Sequence, residues 1–173
     1  MPSKFAGPPL LDFSSPDVFR NFHVINDDVM GGLSRSCLNL APGFMAFTGD
    51  VSLENNGGFA SFRGSVRFPA DSAVLLLTAR GDGRRYKLTL KLDDGPRTAQ
   101  YQAAFVASQE WKTLRFRPAH FQASLRGRAV VAPPVPFADV RYMGLLISDR
   151  QSGPFTIELR EIRIEAEDIK TEM

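Results

Sequence analysis

The sequence has little of the material from which proteins build covalent or metal cross-links. Its 173 residues include one cysteine, two histidines and one tryptophan. Cys37 cannot form an internal disulfide by itself, and Cys37, His23 and His120 are too few to fill a Cys/His zinc site. We therefore expect the fold to depend on its hydrophobic core, with no cofactor and no resident metal.

Long apolar runs and a strong charge of one sign are also missing. No segment reaches the roughly 18 apolar residues that a membrane-spanning helix requires. Residues 1–11 resemble neither a signal peptide nor a transit peptide, which predicts a cytoplasmic protein. The 21 basic and 19 acidic residues give a net charge of +2 that is spread along the chain. This balance argues against nucleic acid as a partner, and the lack of a long apolar run argues against direct membrane insertion.

The sequence does have many short segments in which apolar and polar residues alternate, the period of a half-buried β-strand. In one of them Leu88, Leu90 and Leu92 share a side opposite two lysines and a threonine. The predicted strands are Ser61–Phe68, Val74–Ala79, Tyr86–Leu92, Thr113–Arg117 and Gly144–Ser148. Turn-rich clusters separate them, and Arg80–Arg85 is predicted to be a hairpin connection. These signals predict one all-β domain over residues 1–173, a sandwich or a barrel.

Two further local features are predicted. Ser15 and Pro16 are suited to the N-cap and first position of a short helix ending near Phe22, and residues 118–125 favour one helical turn. In the last strand the apolar residues change parity, since Phe155, Ile157 and Leu159 share one side and Ile162 and Ile164 the other. We predict a β-bulge near residues 160–161 that returns both groups to one face.

Two glycine-rich clusters allow either a ligand site or a turn. Residues 26–34 contain Asp27 and Asp28, weak candidates for calcium, but the spacing does not fit an EF-hand, and Asp, Asn and Gly are also turn formers. Residues 54–63 contain Asn55, Asn56 and Arg63, which suit a sugar or peptide ligand or, equally, a hairpin turn.

No pattern of a catalytic nucleophile with its base is present. His23 and His120 lack the neighbouring residues of a known triad or nucleophile elbow, and Asp93-Asp94 precedes a Gly-Pro turn. We therefore expect a protein that is not an enzyme.

Several motifs, in order, resemble those of one family. Residues 26–34 resemble its opening signature, and residues 49–61 its second signature. Residues 81–86 are similar to its central hairpin. The match continues through Tyr101-Gln102, Trp111, Arg126-Gly127, residues 144–149 and residues 153–155. Over about residues 13–166 the chain thus resembles the complex I intermediate-associated protein 30 domain family, whose founding member is an assembly factor of respiratory NADH:ubiquinone oxidoreductase.

The resemblance implies a galactose-binding-like jelly roll, akin to some carbohydrate-binding modules, with no catalytic residues. It implies a chaperone or assembly role through contacts with a protein partner, such as respiratory-complex subunits or other assembly factors. A carbohydrate- or small-polar-ligand-binding module is the alternative, with a glycan as the partner.

The candidate ligand-binding residues come from the matching segments and their flanks, and their side chains suit polar ligands. They are Asn55, Asn56, Arg63, Arg80, Asp82, Tyr101, Gln102 and Arg150. The alternative is that they bond to turns and to one another.

Overall fold

Over residues 7–166, which this computed structural model describes, the chain forms two antiparallel β-sheets packed into a sandwich. One sheet has six strands, in the order β3-β4-β13-β6-β9, with β1 paired to part of β13. Its strands are β1 (Leu11–Asp12), β3 (Arg35–Ala41), β4 (Phe44–Val51), β6 (Ser72–Gly81), β9 (Lys112–Phe116) and β13 (Gly153–Ala166).

The other sheet has seven strands, in the order β11-β10-β8-β7-β12-β5-β2. Its strands are β2 (His23–Asn26), β5 (Ala60–Ser65), β7 (Arg85–Lys91), β8 (Gln100–Val106), β10 (Gln122–Leu125), β11 (Arg128–Ala129) and β12 (Tyr142–Ile147). The prediction of an all-β sandwich is confirmed, and each of the five predicted strands lies within or overlaps one of these strands.

The core lies between the sheets and is rich in phenylalanine. The ring of Phe47 from the six-stranded sheet lies 5.0 Å from that of Phe62 in the seven-stranded sheet and 4.9 Å from that of Phe155. All three side chains are buried. Edge-on contacts of this kind add about 0.5–1.5 kcal/mol per pair to the stabilisation from burial.

Helical structure is sparse over the described residues. The helix α1 (Pro16–Arg20) follows Ser15 as its N-cap, as predicted, but it ends two residues before Phe22. Pro118–His120 forms a single 3-10 turn, after which the chain enters β10 instead of continuing the turn to residue 125. No helix among the described residues is long and apolar enough to cross a membrane.

The predicted bulge in β13 is confirmed. Leu159 pairs with Ala79 and Glu161 with Thr78, so that Arg160 is an extra residue in β13. Because of this extra residue, Ile162 is buried in the same core as Leu159 despite the change of parity.

The predicted hairpin at Arg80–Arg85 is wrong. The segment connects β6 in one sheet to β7 in the other and therefore crosses the edge of the sandwich. The Asp82 carboxylate accepts hydrogen bonds from the backbone N–H groups of Arg84 (3.0 Å) and Thr156 (2.8 Å), which fix the crossing. Turn residues mark where a chain reverses, but the sheet that the next strand joins depends on distant partners.

Candidate binding cleft on the seven-stranded sheet

The outer face of the seven-stranded sheet carries a cleft of about 790 Å³. Because side chains alternate along a strand, the residues between the core positions of each strand point to this face. On β7 the core positions are Tyr86, Leu88 and Leu90, so that Lys87, Thr89 and Lys91 line the cleft.

Strand register places one row of residues across the middle of this face. Arg63 pairs with Gly144, Gly144 with Thr89, and Thr89 with Gln102, which pairs in turn with Gln122. Gly144 leaves the centre of the row without a side chain, and a Cβ there would clash with the carbonyl oxygen of Phe62. The cleft therefore has a bare floor with polar side chains on both sides.

The charged residues of the cleft are mostly cationic. Arg63, Lys87, Lys91 and Arg126 line it together with one acidic residue, Asp149. The Nζ atom of Lys87 lies 3.2 Å from the Asp149 carboxylate, and that of Lys91 donates to the Gly95 carbonyl at 3.3 Å. Burial lowers the pKa of Lys91, and the nearby guanidinium of Arg63 lowers it further.

Neutral polar groups and apolar side chains complete the lining. The Gln102 amide donates to the Gln100 amide oxygen at 2.7 Å, leaving other donors and acceptors of this pair for a ligand. At one end Ile25 and Leu146 flank Ser61 in the sheet register, and Phe59 lies beside them in the lining.

A tight turn places Arg126 at the rim of the cleft. Leu125 pairs with Arg128, so Arg126 and Gly127 form the two-residue connection between β10 and β11. Both have positive φ, 51° and 80°, as a type I′ hairpin turn requires.

The two glycine-rich clusters of the sequence meet at the buried carboxylate of Asp27. One oxygen accepts the Ser34 N–H at 2.9 Å. The other accepts the Ser34 hydroxyl at 2.5 Å and the N–H groups of Gly58 at 2.7 Å and Phe59 at 3.3 Å. Asp27 thus joins the first loop to the segment that leads into β5 and carries Phe59 to the cleft.

The first cluster has the hydrogen bonds of a turn in the structure, and the calcium interpretation stays a prediction. Burial acts to raise the pKa of Asp27, but the hydrogen bonds from Ser34, Gly58 and Phe59 outweigh it and hold the pKa below its usual value. Gly57 is required beside this carboxylate, since a Cβ would lie 2.6 Å from one of its oxygens. Asp28 is exposed, and the described residues contain no group of three or more His, Cys, Asp or Glu that could hold a metal.

The eight candidate residues do not form a single site. Arg63 and Gln102 line the cleft, on β5 and β8. Asn55 is exposed in the second cluster with a φ of 55°, while the side chain of Asn56 lies outside the described part of the structure. Arg150 is exposed, with a φ of 57°, in the connection between β12 and β13.

The other three candidates bond within the protein. Arg80 lies on the six-stranded sheet and pairs with Glu158 at 2.6 Å. Asp82 accepts the hydroxyl of Tyr86 at 3.0 Å, and burial raises the pKa of that tyrosine, with a further contribution from the Asp82 charge. Tyr101 is buried, and its hydroxyl donates to the Pro133 carbonyl at 3.4 Å.

The lysines of the cleft were not among the candidates, although a signal for them was present. The alternation that predicts β7 places its leucines on one side and Lys87, Thr89 and Lys91 on the other. Recognising this polar side as a site requires knowing that β7 lies in the middle of a sheet, next to β8 and β12.

Comparison with known proteins gives both a family and a fold. The family model described as Complex I intermediate-associated protein 30 (CIA30) matches residues 11–159. No curated protein is significantly similar to the chain in sequence.

Among solved structures, the chain is similar to carbohydrate-binding modules. The family 11 module of the cellulosomal cellulase Lic26A-Cel5E of Clostridium thermocellum superposes with a TM-score of 0.70 at 12% identity, over 95% of this chain and 96% of that one. The family 11 module from Clostridium thermocellum in complex with a β-1,3-1,4-mixed-linked tetrasaccharide gives 0.63 at 12% identity, over 84% and 89%. An exo-β-agarase gives 0.57 at 11% identity, over 91% of this chain and 24% of that one. These similarities establish a galactose-binding-like jelly roll.

Proposed function

The chain belongs to the complex I intermediate-associated protein 30 family, and from this membership we propose that it is a non-catalytic binding protein that assists the assembly of respiratory complex I through protein–protein contacts. The proposed partners are subunits of that complex or other assembly factors. The family match covers residues 11–159, which include every strand that forms the cleft. The cytoplasmic location expected from the sequence stays a prediction.

The cleft on the seven-stranded sheet is the proposed binding surface, and its composition is the observation that carries the proposal. Its floor is a rigid sheet that presents charged donors, amides and hydroxyls beside an apolar end. A preformed surface of this kind loses little conformational entropy when it binds a partner.

The experiment is affinity capture from solubilised membranes of an organism that makes the protein. We expect wild-type protein to enrich complex I subunits or assembly factors, and the double variant Arg63→Gln/Lys91→Gln to lose that enrichment. Arg115→Gln is the matched control, because Arg115 is an exposed cation on the other sheet. Equal capture by all three proteins, or no complex I component with any of them, would contradict the proposal.

A carbohydrate-binding role is the second candidate. Similar structures are carbohydrate-binding modules, one of them solved with a mixed-linked tetrasaccharide. The Gln100–Gln102 pair supplies the donors and acceptors that sugar hydroxyls need. Calorimetric titration with β-1,3-1,4-glucan and galactan oligosaccharides tests this role, and it is rejected if none of them releases or absorbs heat above dilution.

A further inference from the structure

The net positive charge of the residues that line the cleft is larger than the net charge of the whole chain. The lining has four cations and one acid, a balance of 4 − 1 = +3 in this cleft alone. The whole sequence has a net charge of only +2. The remaining charges nearly cancel, so that most of the net positive charge is concentrated on one face.

The acids nearest the cleft offset this imbalance only in part. Asp149 pairs with Lys87. Asp93 and Asp94 line a neighbouring groove, and the Asp93 carboxylate accepts the Gly95 N–H at 2.7 Å and a hydrogen bond from the Thr98 hydroxyl. Among the described residues, Arg63, Lys91 and Arg126 therefore form no ion pair with a carboxylate, although the charges of Asp93 and Asp94 act on Lys91 at longer range.

Arg63 is held in place without being neutralised. Its guanidinium carbon lies 5.3 Å from the centre of the Tyr142 ring, and among the described residues it has neither a hydrogen bond nor an ion pair. An aromatic ring orients a guanidinium while leaving its N–H groups available. Such a group is ready to bind a carboxylate through two parallel hydrogen bonds.

The spacing of the lysines matches an extended peptide. Lys87 and Lys91 are four residues apart on one side of β7, which separates them by about 13 Å. An extended chain running along β7 covers the same distance in about four residues, and its side chains on one side recur at every second position. Acidic residues at alternate positions would therefore reach Lys91 and, in competition with Asp149, Lys87.

The apolar end of the cleft favours a peptide over an acidic polysaccharide. Ile25, Phe59 and Leu146 lie together there and can receive an aliphatic side chain. A uronic acid polymer has carboxylates but no such side chain. Among the described residues of the lining, the aromatic side chains are those of Phe59 at this apolar end and of Phe62, which is buried in the core.

Resting on the proposed function, we infer that the cleft recognises an extended acidic segment of a protein partner, with Asp or Glu at alternate positions and an aliphatic residue at one end. Arg63 and Lys91 bind its carboxylates, Arg126 attracts it at the rim, and Ile25, Phe59 and Leu146 contact the aliphatic residue. A carboxylate between Arg63 and Lys91 also relieves the repulsion between these two cations.

The test is fluorescence anisotropy with four labelled probes of similar length. They are a decapeptide with alternating Glu and one terminal Leu, its Gln analogue, its analogue lacking Leu, and an oligogalacturonate. We expect the first to bind at least 10-fold more tightly than each of the others, with an affinity that falls as salt is raised. Arg63→Gln/Lys91→Gln should weaken its binding at least 10-fold, and Arg115→Gln should not change it.

Other outcomes overturn the inference in distinguishable ways. Equal binding of the Glu and Gln peptides would show that charge does not determine recognition. Tighter binding of oligogalacturonate than of the acidic peptide would show that the ligand is not a peptide. Binding of the acidic peptide together with failure to capture complex I components would uphold the inference and reject the proposed function. If capture of complex I components depends on Arg63 and Lys91 but the acidic peptide does not bind, the proposed function is upheld and the inference is rejected.

Discussion

The outer faces of the two sheets differ in how their charges are arranged. On the six-stranded sheet Arg80 pairs with Glu158 at 2.6 Å and Arg115 with Glu165 at 2.9 Å, and Glu161 pairs with Arg163. On the seven-stranded sheet the cations of the cleft outnumber its acids four to one. The glutamates of the first face pair with basic residues, whereas the cleft leaves Arg63, Lys91 and Arg126 without an ion pair among the described residues.

The difference arises from the strands that lie side by side. β13 supplies Glu158, Glu161 and Glu165 to the centre of the six-stranded sheet, within reach of basic residues on the same strand, on the neighbouring β6 and on β9 beyond it. β7 supplies lysines to the other sheet, where Ala104 of β8 and Leu146 of β12 lie opposite Lys87, and Tyr142 of β12 lies opposite Lys91. The lesson is that two sheets of one sandwich can have similar strands and different roles.

The rim of the open face depends on one buried carboxylate, and removing it should have the largest effect on stability. Asp27→Ala leaves the Gly58 and Phe59 N–H groups and the Ser34 side chain without their acceptor. Buried hydrogen bonds to a charged group of this kind predict a loss of about 2–4 kcal/mol in the free energy of unfolding. Urea denaturation measures it, with Asp28→Ala, an exposed neighbour, as the control. Equal stability of the two variants would contradict the role of Asp27.

Charge reversal in the cleft should have the next largest effect, this time on binding. Arg63→Glu/Lys91→Glu replaces attraction for the acidic peptide with repulsion, which predicts a loss of at least about 100-fold in affinity, equivalent to about 2.7 kcal/mol. Circular dichroism checks that the variant folds, since both side chains are only half-buried. The same peptide binding the variant and the wild type equally would place the ligand elsewhere.

The contribution of Asp27 to the pH dependence of stability should be measurable apart from that of the surface carboxyl groups. Because its pKa is below the usual value in the folded protein, its stabilisation is present above about pH 4 and is lost as pH falls through the folded pKa. Hydrogen bonds also lower the pKa values of Asp93 and Glu165, which therefore contribute in the same direction. Melting curves from pH 7 to pH 3 should be flatter for Asp27→Asn than for wild type. Parallel curves for the two proteins would contradict this explanation.

The paired charges of the six-stranded sheet should matter least. Arg115 and Glu165 form an exposed ion pair, and such pairs contribute little because water and salt screen them. We expect Arg115→Gln to leave the melting temperature and peptide affinity close to their wild-type values. A large loss of affinity in this variant would mean that the two faces do not differ as described.

Local features of the fold could be predicted from the sequence because they depend on neighbouring residues. Alternation predicts the strands, and the change of parity between Leu159 and Ile162 predicts the bulge. The connection at Arg80–Arg85 was assigned wrongly because the sheet that β7 joins depends on β8 and β12, which come later in the chain.

The site could be predicted only in part for the same reason. Arg63 and Gln102 are candidates on chemical grounds, whereas the sequence shows Lys91 only as one residue on the polar side of a predicted strand. Its significance depends on Arg63, which strand register brings to the same face from β5. Asp27 likewise bonds to Gly58, thirty-one residues further along the chain, a pairing that neither loop indicates alone.

Titration of ¹⁵N-labelled protein with the acidic peptide, followed by amide chemical shifts, tests most directly whether the open face is the binding face. The account predicts shifts that saturate and cluster on β5, β7 and β8 around Arg63, Thr89, Lys91 and Gln102, with the six-stranded sheet unchanged. Saturable shifts centred on Arg80, Arg115 or Glu165, or no shifts at all, would contradict it.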